Sequence, residues 1–235
     1  MKIITWNVRG INASDKRGRI KQLLDFTKGD IILLQETKLS AQVFDKTLAK
    51  WTNWLSVHAE GHGASGGLAI LWNAKSIHGI LIGQDSNWQL LKVEHFDLKF
   101  LIFNIYGPTS TNDKRNLWAV LTNLIQQERE MNFILGGDFN ALLSMSEKKG
   151  GICPPIRTIQ DFSSFVEDNN LSDILPMNGL YTWTNRRIGF LEIVERLDRF
   201  LFSQSWKLLI FSFKSKILPF SISRSFSNLV IDIKE

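Results

Sequence analysis

Six polar residues lie at or near the ends of strand-like segments, and their types match the ligands of a hard cation. They are two carboxamides, three carboxylates and one phenol: Asn7, Asn140, Glu36, Asp138, Asp198 and Tyr106. Ligand sites commonly form on loops that a rigid scaffold holds in place. Mg²⁺ prefers oxygen ligands and usually takes only one or two carboxylates, with water and substrate phosphates as its other ligands. If these strand ends converge, the sequence predicts a divalent-cation site.

Each of these residues also has an ordinary structural interpretation. Asn7 alone could be a turn former, and Glu36 could be a solvated carboxylate where a strand ends. The segment GGDFN is more informative, because two glycines allow a tight turn or a close backbone approach. Asp138 and Asn140 then project from one side of an extended segment. All the segments taken together, in this order, indicate a functional site more specifically than any one of them does.

Short apolar segments interleaved with helical ones predict the scaffold. Apolar runs of about 5–9 residues, rich in Ile, Val, Phe and Trp, indicate strands. Helical spacing occurs in DKRGRIKQLLDFTK, NDKRNLWAVLTNLIQQER and TIQDFSSFVEDNN. In the second of these, the predicted apolar stripe consists of Leu117, Val120, Leu121, Leu124 and Ile125.

The predicted order of elements is β-α-β, a meander of strands, then β-α-β-α-β-β-α-β. Many strands and few helices favour two packed, mostly antiparallel sheets with helices outside them, a four-layer α/β sandwich. The composition shows no linker-like shift, so residues 1–235 are expected to form one domain.

Composition narrows the class of protein further. The chain is 44% hydrophobic with a formal net charge of +5, which suits a globular domain with a mild preference for polyanions. No run of about 18 apolar residues is present, so no membrane span or membrane partner is expected. The lone Cys153 has no disulfide partner and favours a reducing, intracellular compartment. We expect a monomer.

Seven segments carry a resemblance to a known family. They are WNVRG, LLQETK, SGGLAILW, NIYGP, GGDFNALL, YTWTN and RLDRFLFS. In collinear order from Met1 to about Pro219, the chain resembles the endonuclease/exonuclease/phosphatase superfamily, which includes DNase I, exonuclease III and the abasic-site endonucleases. It is most similar to the endonuclease domain of plant LINE-type retrotransposons. The resemblance implies a DNase I-like fold, Mg²⁺ or alternatively Mn²⁺ as cofactor, DNA as substrate and, with that substrate, a nuclear location.

The resemblance also implies individual roles. Glu36 would be the principal metal ligand, and Asn7 would lie beside the metal and the scissile phosphate. Tyr106 would contact that phosphate, Asp138 would orient or deprotonate the attacking water, and Asn140 would hold a phosphate oxygen. These roles fit phosphodiester hydrolysis by metal, base and fixed donors.

A hairpin beside the DNA is implied as well. Trp183, Thr184 and Asn185 would lie on it, although a core position for Trp183 is an equally good interpretation. Arg186 and Arg187 follow directly and are either phosphate contacts or simple solvated charges.

The C-terminal segment departs from the family pattern. The family ends with Ser-Asp-His, whose histidine is oriented by the carboxylate that corresponds to Asp198. After LPFSIS this chain has Arg224 and Ser225 instead. The four histidines all lie in the first half of the chain, at His58, His62, His78 and His95. Loss of such a group typically costs about 10²–10⁴ in rate, whereas LVIDI still alternates well enough to form the last strand.

Three functions are therefore in competition. The first is a Mg²⁺-dependent, DNA-nicking phosphodiester hydrolase impaired by the missing Asp-His. The second is a catalytically dead remnant that only binds nucleic acid. The third is an active repair-type or phosphatase-type member, against which the missing Asp-His and Arg9 argue, because the abasic-site enzymes have a carboxylate at the position of Arg9.

A single inserted base would explain the altered ending. Ser-Asp-His-Phe-Pro-Ile can be written TCT GAT CAT TTT CCA ATT. One C inserted after the first codon gives Ser-Arg-Ser-Phe-Ser-Asn, which is the sequence of residues 223–228. We hypothesise a frameshift after Ser223. Sequencing the locus tests it: deleting one base near codon 224 should restore an Asp-His-Phe-Pro-like frame, and failure to do so would refute the hypothesis.

Overall fold

The computed structural model describes residues 1–48, 51–61, 66–208, 212–218 and 228–234. His62, Arg224 and Ser225 lie outside these ranges, and so does the position at which the family has its Asp-His. Among the described residues, every helix is too short or too polar to cross a membrane.

Two six-stranded sheets dominate the described part of the chain. The first has the strand order β14-β15-β1-β2-β4-β3. Its strands are β1 (Lys2–Asn7), β2 (Ile31–Gln35), β3 (Trp54–Ala59), β4 (Leu68–Asn73), β14 (Ser212–Leu218) and β15 (Asn228–Lys234). Only the β1–β2 pair is parallel.

The second sheet has the order β10-β13-β8-β7-β6-β5. Its strands are β5 (His78–Gln84), β6 (Trp88–His95), β7 (Leu98–Tyr106), β8 (Asn132–Asp138), β10 (Leu171–Asp173) and β13 (Asp198–Ser203). Only β7 and β8 pair in parallel. A small third sheet contains β9 (Lys148–Lys149), β11 (Trp183–Thr184) and β12 (Val194–Glu195).

Helices cover the outer faces of both large sheets. They are α1 (Ser14–Thr27), α2 (Ala41–Leu48), α3 (Thr111–Gln127) and α4 (Ile156–Asp168). Apolar residues of α1 and α2 pack on the first sheet, those of α3 and α4 pack on the second, and a third cluster fills the space between the sheets. The predicted four-layer α/β sandwich with mostly antiparallel sheets is confirmed.

Some local predictions were wrong. In α3, Trp118 is buried while Val120 is 41% exposed, because Trp118 packs among the rings of Phe139, Phe162 and Phe165. The predicted last helix is only a 3-10 turn at Gln204–Leu208 among the described residues. The segment EIVERLDRFLFS, predicted as one strand, splits into β12 and β13.

The last strand forms as its alternation predicts. Strand β15 lies between β14 and β1 and pairs antiparallel with both. Leu229, Ile231 and Ile233 point into the core between the sheets. The altered C-terminal sequence therefore still closes the first sheet.

A buried polar network joins the two sheets beneath the strand ends. The Gln35 side-chain amide in β2 donates to Asn104 Oδ1 in β7 at 2.6 Å and to Thr5 Oγ1 at 3.0 Å. The Asn104 amide donates to Gln89 Oε1 and to the backbone oxygens of Leu34 and Ala69. Because a buried polar group without a partner is costly, this network fixes how the sheets sit against each other at this end.

A buried ion-pair network lies where the predicted strand splits. Arg196 and Arg199 are fully buried, and both bind the carboxylates of Glu147 and Asp173. Arg196 is buried at the junction of β12, which pairs in the small third sheet, and β13, which pairs in the second large sheet. Arg196 and Arg199 flank Asp198, and Glu147 lies in the loop that follows β8. The ion pairs therefore hold the Asp198 segment against that loop.

Removing one partner of this network should strongly destabilise the fold. We expect Glu147→Gln to lower the free energy of unfolding by about 3–5 kcal/mol, because two buried guanidinium groups lose a shared carboxylate. Urea unfolding at pH 7 measures this. The matched control is Asp161→Asn, which breaks the partly exposed Arg115–Asp161 ion pair and should cost at most about 1 kcal/mol. Equal losses in the two variants would contradict the interpretation.

Candidate active site

The predicted strand ends do converge, and one side chain links the two sheets there. The amide nitrogen of Asn7, at the end of β1, donates to Glu36 Oε1 at 2.9 Å and to Asp138 Oδ2 at 2.8 Å. Glu36 follows β2 in the first sheet, and Asp138 ends β8 in the second. Both hydrogens of the Asn7 amide are therefore used, and its oxygen accepts the backbone N–H of Arg9.

Glu36 is held by donors on several sides. Its backbone has a positive φ of 53°, which turns the chain sharply out of β2. Its carboxylate binds Asn7, pairs with Lys38 at 3.2 Å and accepts a hydrogen bond from the Tyr106 hydroxyl. Burial alone would raise the pKa of Glu36, but these hydrogen bonds and the Lys38 charge outweigh it and lower the pKa. Glu36 therefore remains ionised at neutral pH.

Three of the predicted residues lie side by side across the second sheet. Asp138 pairs in register with Tyr106 on β7 and with Asp198 on β13. Burial, and then the charges of Glu36 and Asp138, raise the pKa of the Tyr106 phenol, so it keeps its proton. Burial also raises the pKa of Asp138, although hydrogen bonds from Asn7 and from the Asn140 backbone partly oppose this.

Close backbone approaches hold Asp138 and Asn140 in place. The Asn140 N–H donates to Asp138 Oδ1 at 3.0 Å, and the Asn140 side-chain amide donates to the Gly107 oxygen at 2.7 Å. A side chain at Gly107 would meet the Phe139 oxygen at 2.0 Å, and one at Gly137 would meet the Ile105 oxygen at 2.0 Å. The close approach that the two glycines of GGDFN predict is therefore present, at Gly137 in particular.

Asp198 is buried beside a second carboxylate. Thr182 Oγ1 accepts the backbone N–H of Asp198 at 2.9 Å, and the Thr182 side chain also hydrogen-bonds the Asp198 carboxyl. Burial, and then the charge of Asp138, raise the pKa of Asp198 well above its ordinary value.

None of the described histidines stands in for the missing one. His58 stacks on Phe44, His78 pairs with Glu94, and His95 packs against Phe96.

Cationic side chains surround the carboxylates, and the sequence prediction missed two of them. Lys38 pairs with Glu36, and Lys114, in the first turn of α3, is half-buried. Burial lowers the pKa of Lys114, although the charges of Asp138 and Glu195 oppose this. The charge of Arg9 acts on Asp138 and Asp198 and lowers their pKa values. The sequence could have indicated Lys38 as a site residue, because it lies only two residues after Glu36 in QETK.

The predicted hairpin is anchored next to Asp198. Trp183 is half-buried against the small apolar cluster of Leu142, Ile159 and Leu197, so it has a packing role. The Asn185 side chain closes the loop, since its oxygen accepts the N–H groups of Arg187 and Ile193 and its amide donates to Leu191.

The rest of the loop is open to solvent. Arg186 and Arg187 are exposed, as both the phosphate-contact and the solvated-charge interpretations require. Ile188 and Phe190 at the tip are 92% and 95% exposed.

The donor set fits a hard divalent cation. Two carboxylates and one carboxamide lie within one hydrogen bond of each other, with the phenol of Tyr106 beside them. Within the described ranges, no group of three acidic, histidine or cysteine side chains forms a complete metal cage. Mg²⁺ does not need such a cage, because water and substrate phosphates supply its other ligands. Glu36 and Asp138 are the residues that could hold the ion.

Comparisons with known proteins identify the family of the chain. The sequence model of the Endonuclease/Exonuclease/phosphatase family matches residues 4–211. The chain is 26% identical over 230 residues to an exodeoxyribonuclease of Bacillus subtilis, covering 88% of this chain and 90% of that protein.

Solved structures share the fold. The 3′-5′ exonuclease NExo of Neisseria meningitidis matches with a TM-score of 0.77 at 21% identity, over 100% of both chains. The endonuclease domain of TRAS1, a telomere-specific non-LTR retrotransposon, matches with a TM-score of 0.73 at 14% identity, over 100% of this chain and 98% of that one.

The buried Asp198 predicts a pH-dependent stability difference. Because its pKa is raised on folding, the folded state binds its proton more tightly than the unfolded state does. This contribution is full below the unfolded pKa of about 3.9 and is lost as the pH rises through the folded pKa. Asp198→Asn should therefore be more stable than the unmodified chain at pH 7, by roughly 1 kcal/mol or more, and the difference should shrink towards pH 4.

Urea unfolding in EDTA at several pH values measures this difference. The control is Asp161→Asn, a partly exposed carboxylate outside the site. A difference between Asp198→Asn and the unmodified chain that stays constant with pH would contradict the assignment.

Proposed function

The chain belongs to the Endonuclease/Exonuclease/phosphatase family, and from that membership we propose that it is a divalent-metal-dependent phosphodiester hydrolase of the retrotransposon type that nicks DNA at a reduced rate. The plant LINE-type endonuclease domains are the branch that the WNVRG and YTWTN segments favour. The observation that carries the proposal is the Asn7 amide, which brings carboxylates from the two sheets together beside the Tyr106 phenol.

Mg²⁺, or alternatively Mn²⁺, is the proposed cofactor. Glu36 would be its principal ligand, with Asp138 nearby and the Asn7 amide nitrogen between the two carboxylates. A bound divalent ion supplies Lewis-acid stabilisation of the charge that develops on the phosphate. The ionised state of Glu36 suits this role, because the hydrogen bonds that lower its pKa also fix its orientation.

Tyr106 and Asn140 are the proposed donors to the scissile phosphate. Tyr106 stays protonated because its pKa is raised, so its hydroxyl can donate to a phosphate oxygen once a ligand displaces it from Glu36. The Asn140 amide uses one hydrogen on the Gly107 oxygen and keeps a second for a phosphate oxygen. Fixed donors of this kind stabilise charge that develops in the transition state.

Asp138 is the proposed base for the attacking water. Its pKa is raised by burial, which brings its basicity closer to that needed at neutral pH. Two hydrogen bonds, from Asn7 and the Asn140 backbone, hold the carboxylate in one orientation. A base held in this way orients the water as well as accepting its proton.

The missing Asp-His is the reason for the reduced rate. In the family pattern, Asp198 orients a histidine that acts on the phosphate. Here the corresponding residues are Arg224 and Ser225, and the raised pKa of Asp198 favours its neutral form.

DNA is the proposed partner, because the basic side chains of Lys38, Lys114 and Arg9 surround the site. A nuclear location follows from that substrate.

A plasmid-nicking assay with Mg²⁺ tests the proposal. The unmodified chain should nick slowly, and the double variant Arg224→Asp with Ser225→His should be faster by about 10²–10⁴. Adding Asp138→Asn or Glu36→Gln to the double variant should return nicking to background, and EDTA should abolish it.

Other outcomes separate the competing functions. Equal rates for the unmodified chain and the double variant would refute the impairment. Absence of nicking by both, with duplex DNA still bound in a gel-shift assay, would favour the binding remnant. Faster cleavage of abasic-site DNA or of 3′-phosphate ends than of intact plasmid would favour the repair-type or phosphatase-type alternative.

A further inference from the structure

A second basic cleft lies on the outer face of the first sheet, away from the strand ends that carry the carboxylates. It has a volume of about 410 Å³ and lies on the outer faces of β14, β15 and β1, beside the end of α1. Lys2 begins β1 and Asn7 ends it, so Lys2 is roughly 16 Å from the candidate active site at the strand rise of about 3.3 Å per residue. Lys216 lies level with Ile4, so it is about 10 Å from Asn7 along the strand direction. Its main lining residues are Lys2, Lys214, Lys216, Lys234, Asp232 and Phe26.

The charge balance of the cleft is strongly positive. Four ammonium groups face one carboxylate. Asp232 pairs with Lys234 at 3.6 Å, and the Lys2 ammonium donates to the Thr27 backbone oxygen. Lys214 and Lys216 are exposed, and neither forms an ion pair with another described residue. Two of the lysines are therefore available to an anionic ligand.

The positions of these two lysines suit an extended polyanion. Side chains two residues apart on a strand point to the same face, about 7 Å from each other. Lys214 and Lys216 thus form a short row of positive charge along β14. Lys2 and Lys234 lie on the same face across β15 and β1, with Asp232 between Lys214 and Lys2. The two lysines along β14 fit an extended chain of phosphates that runs along that strand.

An aromatic ring completes the cleft. Phe26, in the last turn of α1, is 67% exposed although most apolar residues of that helix are buried. Surfaces that bind single-stranded nucleic acid combine a positively charged groove with exposed aromatic rings on which bases stack. In a duplex the bases are already stacked on each other, so a ring at the rim selects for single strands.

From these features we infer that the cleft of β14, β15, β1 and Phe26 is a binding site for single-stranded nucleic acid, separate from the catalytic site. The lysines bind the phosphates, and Phe26 stacks on a base. Binding here requires no metal, so the inference stands or fails independently of the proposed nuclease activity.

Fluorescence anisotropy in EDTA tests the site with labelled 15-nucleotide oligo(dT) and oligo(U). A saturating unlabelled blunt duplex occupies the catalytic face during the titration. We expect Lys214→Glu with Lys216→Glu to weaken binding at least tenfold at low salt. The slope of log K against log salt should fall in magnitude by about 1.4, since each phosphate contact of a single strand contributes about 0.7. The tighter-bound oligonucleotide identifies DNA or RNA as the source of the strand.

Two further variants separate stacking from charge. Phe26→Ala should weaken binding about 5- to 150-fold, the range for losing one stacked base, and Phe26→Tyr should retain it. The control is Lys75→Glu with Lys99→Glu, which changes the net charge equally at exposed positions outside the cleft. Urea unfolding confirms that each variant is folded.

Three results would overturn the inference. The first is equal binding by the cleft and control charge variants. The second is undiminished binding by Phe26→Ala. The third is displacement of the oligonucleotide by heparin as effectively as by unlabelled oligo(dT) at equal charge, because heparin has no bases to stack.

Discussion

The Asn7 amide holds together two carboxylates that would otherwise repel each other. Its nitrogen donates to Glu36 from the first sheet and to Asp138 from the second, so the geometry exists only while the sheets keep one relative position. A cation that replaces this link would relieve the same repulsion. The carboxylates are thus preorganised for a positive ligand, and the cost of bringing them together is met during folding.

The rest of the interior maintains that position with buried polar contacts. The Gln35–Asn104 hydrogen bond joins the sheets directly beneath the site, and Arg196 and Arg199 fix the segment of Asp198 to the loop after β8. Apolar packing alone tolerates small sliding of one surface over another. Hydrogen bonds and ion pairs in the interior do not, because a shifted partner leaves a buried polar group unsatisfied.

The sequence predicted the layers and the convergence of polar strand ends, because both follow from periodicity and from the order of elements. It could not predict contacts that depend on side-chain direction. The inward turn of Arg196, the burial of Trp118 in place of Val120 and the approach of Lys114 towards Asp138 depend on tertiary neighbours far away in the chain. The same limit applies to Asn7, whose amide nitrogen rather than its oxygen faces the carboxylates.

The fold and the proposed chemistry place different demands on the C-terminal segment. Strand β15 needs only apolar residues at alternate positions, and Leu229, Ile231 and Ile233 meet that need. A catalytic position needs a particular side chain that can take up or release a proton as the reaction requires. An alternation of apolar residues that forms a strand cannot replace that side chain. Asp198 illustrates the difference, since burial and then the charge of Asp138 raise its pKa well above the ordinary value. A higher pKa favours the neutral carboxyl, which orients a cationic partner less well than a carboxylate does.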